Sequence, residues 1–295
     1  MTIKDRHKDH FAGILIILTF GLAALFATGC TTGHNVVGGG TPTPTPVAGA
    51  RMLVSDNSSG TVNVVNATTD VITHTIAVLS PGKMVSAGGT TLIQSTIAAS
   101  VSIFDNATET IRFTVPLSGL PVDVAITPDG KTGWVAVGNG TVQSINTTTG
   151  AITGTNTIAG VQRIVIGPQG TTVLAFNDTV SNNFVVILPS PLSPTTITNV
   201  ALDHPANGVF VVDDQHFLVM NCGIECGGTQ ANVVGVSLTS TGASTLTSPL
   251  TLSGATVGLL SGITAFIAGS PATGLNAGTL QVVNSSALTA GASIH

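Results

Sequence analysis

The sequence predicts an all-β fold: a β-propeller of about six blades, the first blade incomplete, behind a signal peptide and a flexible linker. Three observations carry that prediction. A unit of two short strands joined by a tight turn recurs along the chain. Its period lies in the forties, and its strands are apolar on both faces. The clearest copy is Pro121 to Val137, PVDVAITPDGKTGWVAV. Pro-Asp-Gly presets the turn dihedrals, and Val, Ile and Trp suit a pleated, buried surface. Looser copies begin at Lys83 (KMVSAGGTTLIQS), Val161 (VQRIVIGPQGTTVLAF), Val209 (VFVVDDQHFLVM) and Thr256 (TVGLLSGITAFIA). The turn positions Gly89, Gly130, Gly170, Gln215 and Gly262 are 41, 40, 45 and 47 residues apart. Such a period, made only of short strands, is the signature of one four-stranded blade per repeat.

The chain opens with Lys4, Arg6 and Lys8 ahead of an apolar run from Phe11 to Ala27, FAGILIILTFGLAALFA. A basic segment followed by an apolar one is the layout of a secretory signal. The run is borderline in length for spanning a bilayer, so an uncleaved anchor is the competing reading. The next residues favour cleavage. Ala27-Thr28-Gly29-Cys30 resembles a bacterial lipobox, in which the cysteine is acylated and becomes the mature N-terminus. Thr31 follows it, so the aspartate associated with inner-membrane retention is absent. The linker, TTGHNVVGGGTPTPTPVAGA, alternates proline with threonine, which disfavours helix and favours an extended spacer. His34 lies in that spacer and is assigned no role. The expected division is a lipoprotein signal peptide over 1–29, lipidated Cys30 and linker over 30–50, and the propeller over 51–295.

Removing residues 1–29 takes away Lys4, Arg6, Lys8, Asp5 and Asp9, leaving five basic and eleven acidic residues and a formal charge of −6. A weakly acidic body argues against nucleic-acid binding, which needs clustered Lys and Arg. Only 7% of the chain is charged, so polarity rests on Thr, Ser, Asn and Gly. Neutral turn formers of that kind suit an exported β protein.

Within each repeat the strands can be lettered A to D from the inside outwards. Strand C is the most legible: TVNVVNATT from Thr61, SVSIFDNAT from Ser100, TVQSINTTT from Thr141, NFVVILPSP from Asn183, NVVGVSLTS from Asn232 and TLQVVNSSA from Thr279. Each runs apolar or alternates, then breaks in an Asn/Asp/Thr/Ser turn, as a hairpin should. The D strands, such as VITHTIAV from Val71 and TIRFTVPL from Thr110, are more polar and fit an outer rim. Strands A and B read as nearly continuous apolar runs, whereas a strand with one wet face alternates. That pattern and the period count against a β-sandwich or a right-handed β-helix. Six B-C-D sets stand against five A strands, which follow Pro81, Leu120, Gly160, His204 and Ala255. The first blade, Arg51 to Val78, therefore lacks its inner strand. Three outcomes are open: a stub from Ser293-Ile294-His295, a notched ring, or a truncated chain. A truncated or imperfect closure is the expectation.

PVDVAITPDGKTGWVAV followed by TVQSINTTTGAI resembles the YVTN-type propeller repeat, with its Pro-x-x-Val-Ala-x-x-Pro-Asp-Gly-Lys inner hairpin and Thr-Val-x-x-Ile-Asn/Asp outer strand. The likeness covers about Arg51 to Ser285 and is strongest in the first three blades. The resemblance implies a fold, not an activity, because that family spans surface-layer proteins, lactonase-like proteins and binding proteins.

Candidate chemistry is sparse. Cys222 and Cys226, in NCGIECGG, are read as a disulfide, the simplest use of two nearby cysteines in an exported protein. Free thiols, or a metal site with Glu225 and His216, are the alternatives, and the second ligand pair a zinc site wants is missing. Asp203-His204 suggests an acid–base pair, but adjacent residues point to different sides, which argues against partnership. No Gly-x-Ser-x-Gly, His-Glu-x-x-His or Gly-x-x-x-x-Gly-Lys motif occurs. The sequons at Asn57, Asn66, Asn106, Asn146 and Asn177 follow from turn composition. Counting back seven residues from each turn gives a channel column of Gly82, Asp123, Arg163, Gly208 and Ala255. One acid and one base do not make a cation cage; Asp123 and Arg163 are read as an ion pair at the channel mouth.

These readings converge on an extracytoplasmic, lipid-anchored propeller that binds or scaffolds without catalysis. No catalytic residue, metal ligand or cofactor is assigned. The expected partners are the membrane, through the N-terminal lipid, and a protein or carbohydrate ligand, not nucleic acid. The alternatives are a lactonase-like hydrolase with its site in the central channel, and a purely structural envelope protein.

Overall fold

The computed structural model describes residues 50–294 apart from 181, 190–191, 200, 240–243 and 271–277. The expected signal peptide, Cys30 and linker lie outside the described residues. Six antiparallel sheets follow one another along the chain, each with its strands in sequence order. The first holds β1 (Arg51–Asp56), β2 (Thr61–Asn66) and β3 (Val71–Ala77). The second holds β4 (Pro81–Ala87), β5 (Thr90–Ser95), β6 (Ser100–Asp105) and β7 (Thr110–Pro116). The third holds β8 (Pro121–Ile126), β9 (Thr132–Val137), β10 (Thr141–Asn146) and β11 (Ile152–Thr157). The fourth holds β12 (Arg163–Ile166), β13 (Val173–Phe176), β14 (Asn183–Pro189) and β15 (Leu192–Thr198). The fifth holds β16 (Pro205–Phe210), β17 (His216–Asn221) and β18 (Asn232–Leu238), with β19 (Ser244–Leu246) and β20 (Leu250–Thr251) both paired to β18. The sixth holds β21 (Val257–Ser261), β22 (Thr264–Gly269), β23 (Thr279–Asn284) and β24 (Thr289–Ile294).

The six strands read as C strands begin at the expected residues. The first strands β4, β8, β12 and β16 lie against their counterparts in neighbouring sheets, as inner strands of a propeller do. The first sheet has no such strand, and β1 is paired on one side only among the described residues. The final segment does not supply a stub for it: Thr289–Ile294 pairs with β23 as the outer strand of the last sheet.

The turns explain the period. Gly89, Gly130, Gly170 and Gly262 all adopt positive φ, between 60° and 78°, where a side chain would be strained. The fifth turn has no glycine at that place. There Asp213 Oδ1 accepts hydrogen bonds from the backbone N–H of Gln215 and His216, so a side chain shapes the bend instead.

Both faces of the B strands are buried, which accounts for their missing alternation. Val135 packs toward the second sheet with Val124 and Leu92, whereas Trp134 packs toward the fourth with Ile164, Val173 and Ile187. The pattern repeats at the next seams. Leu174, Phe176 and Phe184 meet Phe217 and Val219 between the fourth and fifth sheets. Leu218, Met220 and Val233 meet Ala265, Ile267 and Val283 between the fifth and sixth. Between the first and second, Val62 and Val64 meet Ile93 and Phe104. Five apolar clusters thus lie one to each of five seams.

Each seam is also crossed by one carboxylate, buried at Glu109, Asp123 and Asp214 and exposed at Glu225. Glu109 of the second sheet meets Arg51 and His74 of the first. Asp123 serves two seams: Oδ1 accepts from Lys83 Nζ and Oδ2 from the backbone N–H of Ile164. Asp214 Oδ2 accepts from Thr171 Oγ1 at 2.7 Å and from the N–H of Thr171 and Thr172, and Oδ1 from that of Gln169. Glu225 Oε2 accepts from Thr256 Oγ1 and from the N–H of Ser270. A chain poor in charge places much of its acidity across its seams.

Candidate functional site

The inner strands start with a repeated device. Pro81, Pro121 and Pro205 each open a strand, and the ladder then slips at Pro81/Met84, Pro121/Asp123 and Pro205/Asn207. Proline offers no N–H to the ladder, and the bulge that follows re-aims the residue two places on. Those residues are Lys83, Asp123 and Asn207. Arg163, facing Phe176 across the hairpin, takes the same place in the fourth sheet. All four line one cavity of about 380 Å³ at the channel mouth, together with Gln94 and Gln162.

This corrects the channel column. Counting from the turn selects Gly82 and Gly208, because the turns differ in length; counting from the proline selects Lys83 and Asn207. The proline offset was the signal that could have found them. It also corrects the ion pair. Asp123 and Arg163 share the cavity, but the Asp123 carboxylate takes Lys83, at 2.5 Å, as its cationic partner. Its second oxygen is held by the N–H of Ile164, the residue after Arg163. The bulge turns the carboxylate toward the preceding inner strand and leaves Arg163 with no carboxylate within 4 Å among the described residues. Gln94 Nε2 donates to the Pro121 carbonyl and Gln162 Oε1 accepts from the N–H of Asp178, so both amides are oriented by the frame. With Asp123 balanced by Lys83, the mouth carries the net positive charge of one guanidinium. Three amides surround it, a set suited to hydrogen-bonding an anionic, polar group.

A second cavity, of about 360 Å³, lies in the first seam. Leu53, Val64, Met84 and Phe104 form its apolar walls, and Arg51, Ser86, Asn106 and Glu109 its polar ones. Glu109 sits at φ 56°, and His74 Nδ1 lies 2.5 Å from its Oε2.

Cys222 and Cys226 are disulfide-bonded, Cys222 preceding and Cys226 ending a short 3-10 turn over Gly223–Cys226. The residues of the alternative metal site do not converge. Glu225 reaches into the sixth sheet, and the His216 ring faces Asp213 at the opposite end of β17. Asp203 and His204, expected to diverge, do meet: His204 adopts φ 58°, and its Nδ1 lies 2.8 Å from Asp203 Oδ1. The left-handed backbone cancels the alternation on which that expectation rested. Asp203 Oδ2 also accepts from the N–H of Thr229 and Gln230 and from Thr229 Oγ1. Burial pushes the carboxyl up, but hydrogen bonds from His204, Gln230 and Thr229 outweigh it and bring its pKa to about 2. The pair therefore fastens the disulfide loop at the end of the fifth sheet that presents Asn207. Among the described residues no three His, Cys, Asp or Glu side chains gather in a geometry fit for a metal ion.

This architecture defines a β-propeller. No known family profile matches the chain, and no curated protein matches it either. Solved structures do. A functionally unknown protein from Desulfotomaculum acetoxidans is 15% identical with a TM-score of 0.64, over 82% of this chain and 78% of its own. Hydrazine synthase of Kuenenia stuttgartiensis is 19% identical with a TM-score of 0.58, over 80% and 74%. Dihydro-heme d1 dehydrogenase NirN is 12% identical with a TM-score of 0.64, over 83% of this chain but 53% of its own. At such identities the likeness is one of fold.

Proposed function

We propose that the protein is an extracytoplasmic, lipid-anchored propeller that binds an anionic, polar ligand at its channel mouth without catalysis. The observation that carries this reading is the Arg163 guanidinium, which lines the mouth beside Gln94, Gln162 and Asn207 while the one nearby carboxylate is occupied by Lys83. A guanidinium flanked by amides recognises carboxylate or phosphate groups, as on acidic sugars and cell-wall fragments. A thermal-shift screen of neutral sugars, acidic sugars and phosphorylated fragments tests it. Acidic compounds should raise the melting temperature in wild type and not in Arg163→Gln; equal shifts in both proteins would place binding elsewhere.

The anchor rests on the basic–apolar–Ala27-Thr28-Gly29-Cys30 order. Cys30→Ala should move the protein from the detergent-extracted to the soluble fraction. Retention of the variant in membranes would sink the lipid attachment and leave the channel reading intact.

A further inference from the structure

The inner strands repeat one pairing of cation with carboxylate, and at one place the carboxylate is replaced. In the third sheet Asp123 follows the slip after Pro121, and its Oδ1 accepts from the N–H of Val124 at 2.9 Å. In the fifth sheet Asn207 follows the same slip after Pro205, and its Oδ1 accepts from the N–H of Gly208 at 2.9 Å. Both residues are buried. The two side chains therefore leave the backbone in the same way. β8 packs on β4, and β16 on β12, so Asn207 stands to the fourth sheet as Asp123 stands to the second. Asp123 meets a cation there, Lys83. Arg163 holds the place of Lys83 in the fourth sheet, and the repeat sets an amide against it instead of an acid.

That exchange leaves donors without acceptors. With Oδ1 held by Gly208, Asn207 keeps Nδ2 as a donor that has no partner among the described residues. Arg163, half-buried, has no carboxylate within 4 Å among them. Both line the cavity at the channel mouth.

We infer that the ligand's anionic group is a carboxylate, which takes beside Arg163 and Asn207 the place that the Asp123 carboxylate takes beside Lys83. This rests on the anion-binding reading of the mouth and narrows it. The repeat itself displays the group that fits: planar, with one oxygen on the cation and the other on a backbone N–H. A guanidinium presents parallel N–H groups that match two carboxylate oxygens, and Nδ2 adds a further donor. Charge gives the same answer. One guanidinium balances one carboxylate, whereas a phosphate monoester carries nearly two charges and a third oxygen. Lys83 is already committed to Asp123, and unmatched charge in a half-buried site is costly. Asn207 is thus the residue that keeps the site open, because an acid at that position would fill it from within.

Titration calorimetry of the full chain in detergent with glucuronate, glucose phosphate and glucose tests the inference. The three share a ring and differ in the charged group. Glucuronate should bind at least about tenfold more tightly than glucose phosphate, and glucose should give no signal. Asn207→Asp should lose the glucuronate signal, while Asn207→Ser, uncharged and still a donor, should keep it in weakened form. A second readout needs no ligand. Asn207→Asp should lower the melting temperature more in an Arg163→Gln background than in wild type, since the guanidinium would pair with the new carboxylate. Glucose phosphate binding as tightly as glucuronate, or Asn207→Asp binding as wild type does, would overturn the inference and leave the anion-binding reading standing. Equal melting losses in the two backgrounds would also overturn it, because Asn207 would then not face Arg163. If neither acid bound, both readings would fall. The preference between the two acids is measured on wild type, so it decides the question even where Asn207→Asp fails to fold.

Discussion

The seam between the third and fourth sheets and the seam between the first and second come from the same repeat, yet only the former is filled. In the former, Trp134 wedges among Ala136, Ile164, Val173 and Ile187, and every one of them is buried. In the latter, Val62 and Val64 reach Ile93 and Phe104, but Met84 and Ser86 of β4 face a cavity. Elsewhere the inner strand of each sheet lies on the inner strand of the next. The first sheet has none, so β4 is left without that cover. The repeat therefore sets where a seam runs, while the inner strand decides how tightly it closes.

Truncation should expose this difference most strongly. Trp134→Ala removes the largest buried side chain from a filled seam and should cost about 3–5 kcal/mol. Val64→Ala, in the first seam, removes two buried carbons beside existing space and should cost about 1.5 kcal/mol or less. Denaturant titration of both variants checks the pair. Equal losses would mean that the first seam is as tightly packed as the third. Trp134 has a further feature: its indole N–H is buried without an acceptor among the described residues, so Trp134→Phe should cost far less than Trp134→Ala.

The carboxylates divide the seams in a second way. Asp214 is buried and receives backbone N–H groups from Gln169, Thr171 and Thr172. Asp214→Ala strands those donors and should cost about 3 kcal/mol; Asp214→Asn keeps one acceptor oxygen and should cost about half as much. Lys83 is nearly half exposed although its partner Asp123 is buried, and because Lys83→Gln keeps an N–H donor beside that carboxylate it should cost about 1–2 kcal/mol. If Lys83→Gln proved the worse of the two, charge pairing rather than satisfied backbone would be holding the seams. Gly167 tightens the same contact, because a Cβ there would run into the Asp214 carboxylate.

Much of this frame was legible in the sequence because two-sided burial leaves a one-dimensional trace. Val124, Trp134 and Val135 read as an unbroken apolar run for the reason that neighbours lie on both sides of them. The strands named from Thr61 to Thr279 end where Asn, Asp, Thr and Ser turns release them. The channel mouth was less legible. Its position depends on bulges after Pro81, Pro121 and Pro205, and a bulge moves a side chain by one place without altering composition or period. The partner of Asp123 was misread for that reason. The meeting of Asp203 with His204 depends on one positive φ at a non-glycine residue, which no local pattern announces. The seam carboxylates were hidden in the same way, since Asp214 and Glu225 find their partners more than thirty residues away.

The disulfide loop offers the smallest effect and the finest division between two ways of holding a segment. The bridge closes a very short loop, so its loss should cost at most about 2 kcal/mol. Asp203 holds the same loop through Thr229 and Gln230. Its pKa in the folded protein, about 2, lies below the ordinary value of 3.8, so its contribution is complete above about pH 4. That contribution fades as the pH falls toward 2, because the unfolded chain takes up the proton first. Reduction at pH 7 should therefore leave the amides of Gly223 to Gln230 largely protected from hydrogen exchange. Reduction combined with acidification from pH 5 to pH 2.5 should release them, while the oxidised protein loses less over the same interval. With Asp203→Asn, reduction should open the loop at pH 7 as well. Were the reduced wild-type loop already unprotected at pH 7, the bridge and not the carboxylate would be what orders this end of the fifth sheet.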